Sequence, residues 1–229
     1  MRHRDFPSLL VRTCGLQQGS KTLEAGCGSG RESLFFTTIG LCCTAVDISE
    51  IPLRAQQHAY ARVASVHHRE RSRLFPVMGD IFTLPFADGT FDLVFNSGVL
   101  EHYDRTTRRA LLGELVRVTR RGGFVAVAIP NKRHLLSLWW DRLIERWTDF
   151  PQYRIPEQDI EDALRSEMLE LGHDVVLHDW IDCYDTLSHF PNWLPLRFAA
   201  FAATVALPRP PRFLRRKIGT RTLLIMKKL

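Results

Sequence analysis

The stretch that decides the fold is LEAGCGSG, Leu23–Gly30. It places three glycines in five positions, and an acid, Glu24, stands two residues before the first of them. A residue without a Cβ lets the backbone approach a ligand closely and adopt a positive φ. The stretch therefore predicts a ligand-binding turn in which the main chain makes the contacts.

Two phosphate-binding turns do not fit these glycines. The P-loop needs GxxxxGK followed by Ser or Thr, and no such run occurs in the chain. The dinucleotide fingerprint GxGxxG, started at Gly26, needs a third glycine where Arg31 stands. Glu24 would also repel a pyrophosphate, whereas it suits a ligand with a positive group. S-adenosylmethionine carries such a group, the ammonium of its amino-acid end.

Strand-like and helix-like runs alternate through the first 130 residues. Apolar strands separated by helices indicate a parallel sheet covered on both faces, and right-handed crossovers then give a doubly wound α/β fold. The predicted strands are Lys21–Gly26, Cys42–Asp47, Leu74–Gly79, Phe91–Asn96, Phe124–Ile129, Asp174–Trp180 and Thr220–Lys227. The predicted helices are Glu32–Ile39, Ser49 to about Val66, Thr106–Thr119 and Glu157–Leu171; Arg121-Gly122-Gly123 is expected to stop the third and Gly172 the fourth.

Glycines or polar groups stand at the carboxyl ends of four predicted strands: Gly26–Gly30, Asp47, Asp80 and Asn96. Ligands of doubly wound sheets bind beyond these ends, and an acid after the second strand accepts hydrogen bonds from ribose hydroxyls. Asp47 is the candidate for that role, and Asp80 can accept from the exocyclic amine of adenine. Ile48 and Ile81 follow the two acids and are predicted to sandwich the adenine ring.

The run LEAGCGSG…AVDIS…GDIFTLPFADGTFDLVFNSGVLEH…LVRVTRRGGFVAVAIPN resembles a class I S-adenosylmethionine-dependent methyltransferase. It is most similar to the type 11 methyltransferase domain, which is related to the quinone-biosynthesis C-methyltransferases. The likeness covers about Lys21 to Asn131 and weakens through Gly172. Each motif alone is weak, but four in this order at strand ends are specific. The resemblance implies a Rossmann-like, seven-stranded, mostly parallel sheet with an antiparallel last strand, and S-adenosylmethionine as cofactor.

The resemblance also implies how the cofactor is held. The Glu24–Gly30 loop would bind its methionine part, Asp47 its ribose, and Asp80 with Ile81 its adenine, while Asn96 would lie under the methionine portion. In full, the predicted cofactor-binding residues are Glu24, Gly26, Cys27, Gly28, Gly30, Asp47, Ile48, Asp80, Ile81 and Asn96. One departure, Arg120-Arg121 where relatives often have Lys-Pro before paired glycines, concerns only a structural turn.

Several of these residues also have a purely structural interpretation. Glu24 could be a strand-end acid alone, and Asp47 and Asp80 could cap helices. Cys27 lies between two glycines and suggests a nucleophile. A small residue chosen for packing is the favoured interpretation, because methyl transfer needs no covalent intermediate.

The segment LEHYD, Leu100–Asp104, follows the fourth strand on the side where an acceptor would meet the methyl group. His102 is the candidate general base, because histidine is the side chain that ordinarily titrates nearest neutral pH. In the alternative, which the sequence favours, Glu101 and His102 only shape the loop and the start of the next helix.

Basic residues are concentrated toward the carboxyl-terminal end. The 229-residue chain has a formal net charge of +6, and from Thr186 onward it has nine basic residues and no acidic one. This region is interpreted either as a solvated tail that covers the body or as a contact for an anionic partner, namely a membrane surface, RNA or an acidic substrate.

Composition disfavours several other classes of protein. Five cysteines without a CxxC pair predict reduced thiols, and nine histidines without HxxxH spacing predict no metal site. The charged start does not resemble a signal peptide, and no apolar run reaches the roughly 20 residues of a membrane span. We therefore expect a cytoplasmic protein, with attachment to a membrane periphery as an extension of that expectation.

One domain, residues 1–229, is predicted, with a cofactor-binding core at about 20–131 and lid or substrate elements at about 131–156 and 186–219. The apolar run Leu194–Leu207 has 14 residues, too few to span a bilayer but enough to lie on one or to cover the sheet as a lid. We expect methyl transfer to a small-molecule acceptor that is apolar or lipid-like. The alternatives are an RNA methyltransferase, disfavoured because no RNA-binding module is recognised, a non-catalytic scaffold with this fold, and an NAD-dependent oxidoreductase.

Overall fold

The computed structural model describes residues 6–67, 73–131, 160–181, 211–218 and 221–229. The strands are β1 Lys21–Ala25, β2 Cys42–Asp47, β3 Arg73–Met78, β4 Phe91–Ser97, β5 Thr119–Pro130, β6 Asp174–Ile181 and β7 Arg221–Lys227. The helices are α1 Phe6–Thr13, α2 Arg31–Thr38, α3 Glu50–His67, α4 Arg105–Val118, α5 Ile160–Glu170 and α6 Arg212–Ile218, and a one-turn 3₁₀ helix spans Leu100–His102. Apart from Asn131 and 211–218, the predicted lid elements, including Leu194–Leu207, lie outside the described residues.

The seven strands form one sheet in the order β3-β2-β1-β4-β5-β7-β6. All pairs from β3 to β5 are parallel, and β7 is antiparallel to both of its neighbours, β5 and β6. The order reverses between β1 and β4, which is the switch point where doubly wound sheets bind ligands. The predicted α/β, mostly parallel, seven-stranded fold with an antiparallel last strand is confirmed.

Register brings the carboxyl ends of the central strands to one edge of the sheet. Ala25 pairs with Val46 of β2, and Asn96 pairs with Val127 of β5. The glycine loop after β1, Asp47 and Asn96 therefore share this edge, as the sequence predicts.

Two apolar clusters cover the two faces of the sheet. On one face α4 and α5 pack their leucines, among them Leu111 and Leu115, against β4 and β5. On the other face Phe95 of β4 lies edge-to-face with Phe6 of α1 and Phe36 of α2, at centroid distances of 6.0 and 5.4 Å. Burial of aromatic side chains in such pairs contributes strongly to the core.

The end of α4 differs from the prediction. The helix ends at Val118 and β5 begins at Thr119, so Arg121-Gly122-Gly123 lies within the strand and does not stop the helix. Gly122 has φ +71° and donates to the carbonyl of Lys228, and a Cβ on Gly123 would lie 2.9 Å from backbone oxygens. The paired glycines therefore accommodate an irregular start of β5, where the register with β4 shifts.

Candidate functional site

The loop that follows β1 is held by the neighbouring strand. The backbone amides of Gly26 and Cys27 both donate to the carbonyl of Val46, at 2.9 Å, and the amide of Gly30 donates to the carbonyl of Cys27 at 2.8 Å. The loop is thus a closed turn between β1 and α2 that is anchored on the end of β2.

Two glycines of this loop are required for different reasons. Gly28 has φ +48°, and a Cβ built on it would have no atom of the described residues within 4 Å, so its backbone faces space that these residues leave open. Gly30 has φ +60°, and its Cβ would lie 1.6 Å from the amide nitrogen of buried Gln56 on α3. Gly28 therefore leaves room for a ligand, whereas Gly30 makes room for α3 to pack against the loop.

Asp47 ties the glycine loop to the end of β2. Its Oδ2 accepts from the amide of Gly28 at 2.8 Å, and its Oδ1 accepts from the amide of Ser49 at 2.9 Å. Because each carboxylate oxygen has a second lone pair, the group can still accept from a ligand hydroxyl. The predicted pairing of Asp47 with ribose is compatible with this arrangement and stays a prediction.

Glu24 is buried, at 3% exposure, and points toward the start of α2. Its Oε2 accepts from the hydroxyl of Ser33 at 2.5 Å and from the amide of Ser33 at 3.2 Å. Burial raises the pKa of Glu24 to about 8, and the nearby carboxylates of Glu32 and Asp47 add to the rise, against the hydrogen bonds from Ser33. At neutral pH the carboxyl thus largely keeps its proton, although the sequence suggested an ionised group that faces an ammonium.

The residues predicted to hold adenine lie at the ends of β2 and β3. Asp80 is exposed, and its Oδ1 accepts from the amide of Phe82 at 2.9 Å. Ile48 is 78% exposed, whereas Ile81 is half-buried against the core below α4. An exposed isoleucine and an exposed acid at these strand ends suit contact with a planar ring, and the adenine roles of these residues stay predictions.

Buried polar groups lie at and just after the end of β4. Asn96 is fully buried, and among the described residues neither its amide nitrogen nor its amide oxygen has a hydrogen-bond partner. Glu101 is 2% exposed, and its Oε2 likewise has no hydrogen-bond partner within the part of the chain that the structure describes. Burial raises the pKa of Glu101. Unpartnered buried polar atoms are costly, which favours a polar ligand here.

His102, the predicted base, is exposed on the 3₁₀ turn after β4. Its neighbour Glu101 is the buried member of the pair, which the sequence treated only as a loop-shaping residue. The thiol of Cys27 is 7% exposed, and burial raises its pKa to about 12. It therefore stays protonated at neutral pH, consistent with packing and not with a nucleophile.

The sequence did not reveal a polar network at the β7–β6 side of the sheet. Glu161 of α5 contacts the ring nitrogen Nε2 of His178 at 2.8 Å and accepts from Trp180 Nε1 and Thr222 Oγ1, each at 3.3 Å. Helix α5 and strands β6 and β7 meet there, and no local sequence motif predicts the contact. Its members are far apart in the chain, so only the folded sheet brings them together.

Within the described ranges, no group of three or more His, Cys, Asp or Glu side chains could hold a metal ion. No helix in that part of the chain is long and apolar enough to cross a membrane. A groove of about 560 Å³ lies near the amino ends of β1, β2 and β3, beside Lys21, Cys42 and Arg73, at the edge of the sheet opposite the glycine loop. The groove is therefore separate from the candidate site.

A family model described as a methyltransferase domain matches residues 23–127, which include the glycine loop, Asp47, Asp80 and Asn96. The chain is also 34% identical over 203 residues to the demethylmenaquinone methyltransferase of Corynebacterium efficiens, a match that covers 84% of this chain and 77% of that protein. The chain belongs to the S-adenosylmethionine-dependent methyltransferase family. Its predicted membership and cofactor class are thus confirmed.

Another relative matches over a smaller share of its own length. This methyltransferase is 37% identical over 127 residues to the malonyl-[acyl-carrier protein] O-methyltransferase of Pectobacterium atrosepticum, which covers 55% of this chain and 45% of that protein. The match therefore spans less than half of that relative.

Solved structures agree on the fold. The magnesium protoporphyrin IX methyltransferase of Synechocystis PCC 6803, solved with bound SAH, superposes with a TM-score of 0.64 at 17% identity, over 97% of this methyltransferase and 80% of that chain. At this identity the likeness concerns the architecture alone, and it is the Rossmann-like architecture that the sequence predicts.

Proposed function

We propose that this methyltransferase transfers the methyl group of S-adenosylmethionine to a small-molecule acceptor that is apolar or lipid-like. The observation that carries the proposal is the contact between Asp47 and Gly28. The carboxylate accepts from the amide of a glycine whose φ is positive and whose Cβ position is left empty by the described residues. A backbone without a side chain, held in place by a hydrogen bond, suits a ligand that packs directly on the main chain.

The residues at this edge fit S-adenosylmethionine. Gly26, Cys27, Gly28 and Gly30 would present backbone to its amino-acid and sulfonium parts, with Glu24 beneath them. Asp47 would accept from the ribose, Asp80 from the adenine amine, and Ile48 with Ile81 would flank the ring. Asn96, buried and unpartnered, offers a donor and an acceptor toward the methionine portion. When bound, the cofactor supplies an electrophilic methyl carbon on a sulfonium.

The protein's part in methyl transfer is alignment and exclusion of water. Alignment of two reacting groups can lower the barrier by about 7–11 kcal/mol in favourable cases. Phe82, after β3, and Tyr103, after the 3₁₀ turn, form an edge-to-face pair at a centroid distance of 5.3 Å. This pair joins the two loops that border the acceptor side, so it would hold them in a fixed relation.

His102 is our assignment for the group that removes a proton from acceptors that arrive protonated. It follows the end of β4 by five residues and is exposed on the 3₁₀ turn, so an acceptor bound on that side of the site could contact it. An acceptor that already bears a nucleophilic lone pair would not need it.

An apolar or lipid-like acceptor is favoured by two independent points. One is the similarity to a demethylmenaquinone methyltransferase, an enzyme named for a quinone substrate. The other is α6, where Phe213 is 72% exposed between the exposed Arg212 and Arg216. An aromatic flanked by cations suits contact with an anionic membrane surface. We therefore propose a cytoplasmic protein that attaches peripherally to membranes through this basic region.

RNA is the second candidate acceptor, since Phe213 could stack on a base beside these arginines. It ranks below a small molecule. A non-catalytic scaffold ranks lower again, because such a protein would have no use for Asp47 and Asp80 at the ends of β2 and β3.

Calorimetric titration with S-adenosylmethionine, S-adenosylhomocysteine and NAD tests the cofactor assignment. We expect binding of the first two in the micromolar range and none of NAD. Absence of that binding would favour the scaffold, and binding of NAD alone would favour an oxidoreductase.

Incubation of a lysate with methyl-labelled cofactor then identifies the acceptor: label in a lipid or quinone fraction supports the proposal, and label in RNA overturns it. Flotation with anionic liposomes tests the membrane contact, which is wrong if the protein stays unbound.

A further inference from the structure

We propose that Arg221 binds the carboxylate of the amino-acid part of S-adenosylmethionine. The proposal rests on the proposed function, because it concerns the same site. Arg221 is the first residue of β7, where it pairs with Pro130 of β5 and Ile181 of β6 at the edge of the sheet that bears the glycine loop.

The side chain of Arg221 reaches across the sheet toward that loop. Its Nη1 donates to the hydroxyl of Ser97, the last residue of β4, at 2.9 Å. The same nitrogen lies 3.5 Å from Oε1 of Glu32, in the first turn of α2. The guanidinium therefore lies between the end of β4 and the helix that begins directly after Gly30.

The position of the guanidinium is fixed by packing as well as by hydrogen bonds. Its central carbon is 5.0 Å from the ring centroid of Phe6, which itself packs on Phe95 of β4. A cation stacked on an aromatic face loses little further freedom when it binds an anion. The Arg221 side chain is 21% exposed, so it is accessible from the solvent side.

The charges around the glycine loop make a cation necessary for this ligand. Glu32 and Asp47 are acids that suit the ammonium and the hydroxyls of the cofactor but repel its carboxylate, whereas buried Glu24 largely keeps its proton. Arg221 is a cation that contacts this acidic group of residues, and its planar fork matches a carboxylate. Its contact with Glu32 is long for a charged hydrogen bond, so an incoming carboxylate could compete for the same donor.

Ser97 gives a second reason to place the carboxylate here. It follows Asn96, whose buried amide has no hydrogen-bond partner among the described residues, so the end of β4 offers two polar side chains beside the contact with Arg221. The sequence placed Arg221 in the predicted last strand, Thr220–Lys227, and in the basic carboxyl-terminal region, but gave it no role in the site. It lies 124 residues from Ser97 and 189 from Glu32, and no motif links them.

The test compares two ligands that differ by one carboxylate. Affinities for S-adenosylmethionine and for decarboxylated S-adenosylmethionine are measured by calorimetry with the wild type, Arg221→Gln and Arg221→Lys. Arg120→Gln is the matched control, because Arg120 is exposed and pairs with Asp92 at the opposite edge of the sheet. Circular dichroism and thermal unfolding show whether each variant is folded.

We expect Arg221→Gln to weaken S-adenosylmethionine by about 10- to 100-fold, as for a lost charged hydrogen bond, and the decarboxylated ligand by less than about threefold. Arg221→Lys should keep part of the preference, and Arg120→Gln should change neither affinity. Equal losses for both ligands, or none, would overturn the assignment and leave only a structural role for Arg221.

The wild type by itself provides a measurement that needs no variant. It should bind S-adenosylmethionine at least about tenfold more tightly than the decarboxylated ligand, and equal affinities would contradict the proposal even if Arg221→Gln does not fold. If the wild type binds neither ligand, the proposed function is wrong too. If it binds both equally, only the Arg221 assignment is wrong.

Discussion

The carboxylate of Asp47 accepts a hydrogen bond from the backbone amide of Gly28 at 2.8 Å, across the gap between β2 and the loop after β1. One side chain therefore sets the shape of the glycine loop and would also meet the ribose. Replacing it should affect cofactor binding through both effects.

Asp47→Asn should weaken S-adenosylmethionine by about tenfold or more, because a charged acceptor for the ribose hydroxyls is lost and an amide cannot accept at both positions. Asp88→Asn is the control, since Asp88 is exposed and pairs with Arg117 away from the loop. The affinities of the wild type and both variants for S-adenosylmethionine are measured by calorimetry. An Asp47→Asn protein that binds like the wild type would exclude Asp47 from the site.

Gly28→Ala separates backbone strain from ligand contact. An alanine at positive φ should cost about 1 kcal/mol of unfolding free energy, and nothing in the described protein would clash with the added methyl. Gly172→Ala is the matched control: Gly172 also has positive φ and open space, at the end of α5. Urea unfolding should give similar losses for both variants, while only Gly28→Ala loses cofactor affinity. Unchanged affinity in Gly28→Ala would mean that no ligand lies against this backbone.

Glu24 should make stability depend on pH. Its pKa is raised in the folded state to about 8 from an ordinary 4.5, so the folded protein binds more protons than the unfolded chain between these values. The stability that Glu24 contributes is full below about pH 4.5 and is lost as pH rises toward 8, on the order of a few kcal/mol in total. Urea unfolding of the wild type and of Glu24→Gln, measured from pH 5 to 8.5, should show the wild type falling relative to the variant. Parallel curves would refute this, and Glu50→Gln on exposed α3 serves as control.

His102→Ala should lower turnover with the acceptor about 100-fold or more and leave cofactor affinity nearly unchanged, as expected for loss of a general base. His58→Ala, at an exposed position on α3, provides the comparison. Turnover is measured by transfer of label from methyl-labelled cofactor once the acceptor is known. A normal rate in His102→Ala would assign the residue to loop structure alone, the interpretation that its sequence context also allows.

The strands could be predicted because their signals are local. The span Cys42–Asp47 was predicted as the structure has it, since an apolar run closed by an acid needs no distant partner. The glycine pair at Gly122 and Gly123 was misjudged because glycines end helices and also permit irregular strands, and only the contact with Lys228 distinguishes the two. Arg221 and Glu161 could not be found, since their partners come from remote parts of the chain.

Placement of β7 between β5 and β6 has a consequence for how the chain folds. β6 is made before β7 yet hydrogen-bonds only to β7 within the described sheet, so β6 has no partner until β7 has inserted. Until then β5 presents an unpaired edge rich in Val, Ala and Ile, which is open to association with other chains. Assembly of this side of the sheet is therefore a late, non-local event, and slow folding combined with a tendency to aggregate is expected whenever insertion of β7 is delayed.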